Sequence, residues 1–186
     1  MWQRIVFTSA LLVAAAGLNA AADEPASPKL IKHQITGLFS PDRVRDLRVV
    51  FEKLPQYRLV EIDFENAEAS FDYDAAKVFP NATAEQIVEQ FDGQLRNASR
   101  HTFGMKPLRT IEKTKLKLIE IPVVGLDCKG CCLGAYDAVY RLKGVETATA
   151  SFKDGRVTAL IDPAKIDRTE LEMALKQRGV QLKTPE

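Results

Sequence analysis

Val123-Val124-Gly125-Leu126-Asp127-Cys128-Lys129-Gly130-Cys131-Cys132 holds every cysteine of a 186-residue chain within five positions, and its first four residues have an echo. Ile35-Thr36-Gly37-Leu38 stands 88 residues earlier. Holding that separation, Leu54 meets Leu142, Phe64 meets Phe152, Asp74 meets Asp162, and Ala76-Lys77 meets Ala164-Lys165. Seven identities in the 44 positions from 35 to 78 are few as a fraction, but they need no gap and the hydrophobic pattern carries over with them. Self-similarity at a fixed period marks one supersecondary unit used twice.

Each copy spells the same order of elements. In the first, residues 30–36 are an apolar-rich strand. Ser40-Pro41-Asp42 supplies an N-cap, a proline at the first helical position and an early acid, which together start a helix. Val44, Leu47, Phe51 and Leu54 follow at helical spacing as one buried stripe. Val60, Ile62 and Phe64 alternate, and so do Ala67, Ala69, Phe71 and Tyr73, the pattern of a half-buried hairpin. A second helix over 83–95 carries Ile87, Phe91 and Leu95 four apart, and a last strand is expected near 100–104.

The second copy repeats this more compactly. It reads as a strand at 116–124, a helix from about 131 to 142, and strands at 145–152 and 156–162 around an Asp154-Gly155 turn. A helix at 169–178, stopped by Gly179, and a strand at 180–183 complete it. The order βαββαβ is the split-βαβ, ferredoxin-like arrangement. The expected class is therefore α+β, with two tandem ferredoxin-like domains at 29–104 and 115–186. The linker expected at 105–114 contains Pro107 and several charges. Each copy is long enough for a core of its own.

Ahead of the repeats, Met1-Trp2-Gln3-Arg4, an apolar stretch and Ala20-Ala21-Ala22 before Asp23 have the form of a cleaved export signal at 1–22. The expected location is periplasmic or secreted, with no membrane span after cleavage. Lys plus Arg is 26 against 25 for Asp plus Glu, which argues against holding nucleic acid by its phosphates or a polybasic membrane surface. His33 and His101 are the only histidines, too few for a His-rich metal site or a Ser-His-Asp triad. With no G-x-S-x-G motif and no phosphate-cradling glycine loop, enzymatic activity is not expected. The sequons at Asn81 and Asn97 are expected to serve a turn and a helix end.

The Gly125–Cys132 stretch resembles the metal-binding loop of heavy-metal-associated domains, whose pattern is G-M-T/D-C-x-x-C. The resemblance runs from Leu118 to about Leu182 and includes Gly144-Val145 after the first helix. It implies that Cys128 and Cys131 are thiolate ligands for a heavy-metal ion. Gly125, Leu126 and Lys129 are then supporting loop residues, Leu126 standing where the family has a methionine that packs under the loop. Two converging thiolates at a helix N-terminus, favoured as anions by the helix dipole, suit Cu(I), Zn(II) or similar soft ions. Asp127 is either a further, harder ligand or a helix cap; Cys132 is either a further ligand or a small core residue. The first copy has Ser40, Arg43 and Val44 opposite Cys128, Cys131 and Cys132, so it keeps the fold without the site.

Three functions stay open on the sequence. One is an exported scavenger, sensor or carrier of a metal ion, with another metal-handling protein as partner. The second is a thiol–disulfide redox protein, since an exported CxxC meets an oxidising compartment. The third is a structural or interaction module with a lasting Cys128–Cys131 disulfide.

Overall fold

The computed structural model describes residues 30–183, so the leader expected at 1–22 lies outside it. The N-terminal half consists of β1 (Ile31–Thr36), α1 (Arg43–Phe51), β2 (Arg58–Asp63), β3 (Glu68–Asp72), α2 (Ala75–Val78), α3 (Ala84–Ala98) and β4 (Gly104–Lys106). The C-terminal half consists of β5 (Lys117–Val124), α4 (Lys129–Tyr140), β6 (Val145–Ser151), β7 (Arg156–Ile161), α5 (Arg168–Gln177) and β8 (Gln181–Leu182). Their antiparallel sheets have the orders β2-β3-β1-β4 and β6-β7-β5-β8, one topology twice. Both halves are ferredoxin-like α+β domains.

The repeat identities mark the same turns in both halves. Asp74 accepts hydrogen bonds from Ala76 N and Lys77 N at 3.1 and 3.2 Å, and Asp162 accepts one from Ala164 N at 3.1 Å. Gly37 and Gly125 follow β1 and β5 with φ of +88° and +79°, a conformation that L side chains rarely adopt. The cores differ in chemistry. Phe51, Tyr57, Phe71, Phe79 and Phe91 crowd the N-terminal one, and Tyr57 stacks on Phe91 with centroids 3.8 Å apart. Small side chains, Ala135, Ala148, Ala150 and Ala159, sit among Val and Leu in the other.

Several expected boundaries move. Helix α1 opens through backbone bonds from Arg43 N to Ser40 O and from Val44 N to Pro41 O, while the Ser40 hydroxyl donates to Asp42 instead of capping. In β2 a bulge between Leu59 and Glu61 resets the alternation. Leu59 and Ile62 therefore pack on the core, and Val60, expected inside, is 39% exposed. Arg100 and His101 have positive φ and cannot continue a strand, so β4 forms later, at Gly104–Lys106. Met105 and Lys106, expected in the linker, pair with β1. The short α2 has no counterpart among the expected elements. Helix α4 starts at Lys129, two residues earlier than the spacing suggested.

The halves also touch. Phe39, just past β1, belongs to the core of the C-terminal half and is 2% exposed. Its carbonyl accepts from Ala150 N on the β6 edge at 2.8 Å. Gly37 N donates to the Tyr136 hydroxyl at 2.9 Å, and Gln34 Nε2 donates to Glu146 O at 3.0 Å. Lys106 Nζ lies 4.7 Å from the Tyr140 ring centroid. The loop that follows β1 is thus seated on the half that carries the cysteines.

Candidate metal centre

The loop between β5 and α4 is built from both ends. Gly125 turns the chain out of the sheet, and Leu126 drops into the core, where a buried residue anchors the loop from below. Asp127 and Cys128 follow on the surface, and Cys131 is partly exposed. Cys128 has extended backbone and is the N-cap of α4: its Sγ accepts from Cys131 N at 3.0 Å. That contact draws the side chain over the first turn, where free N–H groups and the helix dipole favour negative sulfur.

The Cys128 and Cys131 sulfurs are joined in a disulfide, with Cα atoms 5.1 Å apart. Asp127 Oδ1 lies 3.3 Å from Cys131 Sγ. One donor atom from each of Asp127, Cys128 and Cys131 therefore falls within 4.8 Å of the others, the sole three-donor cluster of its kind among the described residues. The capping role is taken by Cys128, which leaves the Asp127 carboxylate beside the sulfurs. Once the disulfide is reduced, two thiols and a carboxylate at this spacing form a donor set for a soft or borderline ion.

Cys132 is not in that cluster. It is one residue on around the helix, 5% exposed in the core, with Sγ 3.8 Å from Leu126 O, and burial pushes its thiol up from the ordinary range. Its geometry is that of a small core residue. Lys129 is not an unengaged loop cation: its Nζ lies 3.2 Å from Asp42 and 3.3 Å from Asp46, both in the N-terminal half. These acids, led by the Asp42 hydrogen bond, hold the Lys129 ammonium above the ordinary lysine range. The Ser40 hydroxyl, followed by Lys129, holds Asp42 below the ordinary carboxylate range.

No motif in the sequence marks Phe39, Asp42, Asp46 or Tyr136 as a neighbour of the site. In the repeat alignment Phe39 falls opposite Asp127, an aromatic at a loop position, and that was the available signal. Together the two loops enclose a cleft of about 630 Å³ lined by Phe39, Pro41, Asp42, Cys128, Cys132 and Phe152, among others. The histidines stand apart from it: His33 is buried under Phe71 and Phe91 with Nε2 3.2 Å from the Tyr73 hydroxyl, and His101 lies in the turn after α3.

A ferredoxin-like domain with two cysteine sulfurs and a carboxylate on the loop before its first helix is the class that this fold and site define. No family model matches the chain. By sequence it is 22% identical over 161 residues to Copper-transporting ATPase 2 of Homo sapiens, covering 78% of this chain and 11% of that protein. It is 30% identical over 74 residues to the Zinc-transporting ATPase of Synechocystis, covering 40% of this chain and 10% of that protein. The chain thus spans about a tenth of the length of these curated relatives. Among solved structures, the N-terminal domain of the zinc(II) ATPase ZiaA in its apo form is 31% identical, with 38% of this chain covering 99% of that domain and a TM-score of 0.34. By these matches the chain is similar to heavy-metal-associated domains.

Proposed function

We propose that the chain binds a thiophilic heavy-metal ion, Cu(I) or Zn(II), through Cys128 and Cys131 in their reduced form. The observation that carries this is the convergence of Asp127, Cys128 and Cys131 donor atoms within 4.8 Å at an exposed helix N-terminus. The named relatives, a copper-transporting and a zinc-transporting ATPase, support the same class of ion. The ion is cargo. With the leader read at 1–22, the role is that of an exported scavenger, sensor or carrier, passing the ion to or from another metal-handling protein.

Competition titration of the reduced chain under anaerobic conditions tests the binding step. Cys128→Ser and Cys131→Ser should each weaken binding by about 1,000-fold or more, beyond the 10–100-fold typical of changes outside the ligand set. Equal affinity in either variant would overturn the assignment. Export is tested separately, by N-terminal sequencing of protein recovered from outside the cytoplasm.

The disulfide between Cys128 and Cys131 favours a second reading, in which the pair cycles with other thiols or stays oxidised. Mass spectrometry of protein taken from its native compartment separates the readings. Bound metal on reduced sulfurs supports the first, and a metal-free disulfide in all molecules supports the second.

A further inference from the structure

Lys129 lies between the two cysteines, on the first turn of α4, so its ammonium travels with both sulfurs. Asp127, Cys128 and Cys131 would carry three negative charges once both thiols are ionised, and Lys129 alone would cancel one. In the chain the ammonium is turned toward the N-terminal half, onto Asp42 and Asp46. Asp46 also accepts from Arg43, whose guanidinium is fixed 5.1 and 4.9 Å from the Phe39 and Phe103 ring centroids. The result is an ordered chain of charges, Arg43, Asp46, Lys129, Asp42, that restores the negative charge Lys129 removes. In the repeat, Asp42 and Asp46 fall opposite Gly130 and Gly134, so the C-terminal half has no acids of its own at these positions.

We propose that Asp42 and Asp46 of the N-terminal half are specificity determinants of the Cys128–Cys131 site, engaging Lys129 so that a divalent ion is favoured over a monovalent one. This rests on the metal-binding reading above. The reason is Coulombic: a fixed charge acts on a bound ion in proportion to the charge of that ion. Whatever factor the loss of the acids costs a monovalent ion, it costs the square of that factor for a divalent ion in the same place. The Lys129 side chain is 60% exposed, so salt within a Debye length of about 8–10 Å weakens the effect. The two acids are positioning residues and need not touch the ion.

The test uses the full chain with its thiols reduced, as wild type, as the double variant Asp42→Asn with Asp46→Asn, and as Lys129→Met. Cu(I) and Zn(II) are titrated against chelators at low salt and at about 0.5 M salt. At low salt the double variant should bind Zn(II) about tenfold and Cu(I) about threefold more weakly, and at high salt both losses should shrink. Lys129→Met should strengthen binding with the same two-to-one ratio of logarithms. Asparagine keeps an acceptor for Arg43, and the Gly37–Tyr136 bond is untouched, so the Gly37 amide resonance should report an unchanged contact between the halves. Equal fold-changes for the two ions, no change for either, or losses of full size at high salt would each overturn the proposal while leaving metal binding standing. A wild type that binds neither ion would remove the metal-binding reading and this inference together.

Discussion

The loops Gly37–Arg43 and Gly125–Cys131 occupy the same place in the same fold, and they have been put to opposite uses. Both leave a strand through a glycine at positive φ and both lead into a helix. At Gly125 an added Cβ would meet nothing within 4 Å, while at Gly37 it would lie 2.1 Å from Thr102 O. The Gly125 turn is therefore open on that side, and the Gly37 turn is covered by the backbone at Thr102. Where Asp127 faces solvent beside sulfur, Phe39 is buried in the core of the other half. A loop of this fold that carries no thiols can bury an apolar residue against its neighbour instead, as Phe39 does, and so serve as a docking element.

The largest effect should come from breaking that docking. Phe39→Ala should cost about 3 kcal/mol of stability, as removal of a buried phenyl does elsewhere, and denaturant unfolding would measure it. If the halves were independent, the loss would be close to zero. Next, Asp127→Asn should weaken Zn(II) by more than the square of its effect on Cu(I), because Zn(II) loses a ligand as well as a fixed charge. A Zn(II) loss no greater than that square in competition titration would show that the carboxylate is no ligand. Cys132→Ala should leave metal affinity alone and lower stability by about 1 kcal/mol through lost packing. A loss of binding in that variant, with Cys128→Ser binding normally, would reassign the site.

The smallest expected effect concerns acid, and it falls on the N-terminal half alone, because both histidines are there. Burial lowers the His33 pKa below its ordinary 6.5. The folded state therefore favours the neutral ring, and the unfolded chain takes up the proton first as pH falls. The His33 contribution is fully present above about 6.5 and declines as pH drops toward the lowered value. Amide exchange from pH 7.5 down to 5 should show this loss in β1 and β3, and His33→Phe should remove it. Loss of the same size in β5 and β7 would break the contrast.

Much of this was legible from the residues. The unbroken 88-residue register, the Asp154-Gly155 turn and the 3.6-residue stripes depend on local geometry, which short stretches of chain encode. The Cys128–Cys131 spacing likewise carried the convergence of the sulfurs. The bulge at Leu59–Glu61 was not legible, because alternation in a single strand does not reveal the partner that forces a register shift.

Sequence by itself determined the doubled topology and the half that holds the thiols, since both follow from periodicity and spacing within one copy. Tertiary structure alone decided three things. Cys128 rather than Asp127 caps α4, because the cap depends on which side chain reaches the free N–H of Cys131. Cys132 faces inward, because its position on the helix surface is set by how α4 packs on its sheet. Lys129 meets Asp42 and Asp46, residues more than 80 positions away, because Phe39 seats one loop beside the other. Charges that distant along the chain have no pattern in sequence, and only the packing of the two halves brings their fields onto one site.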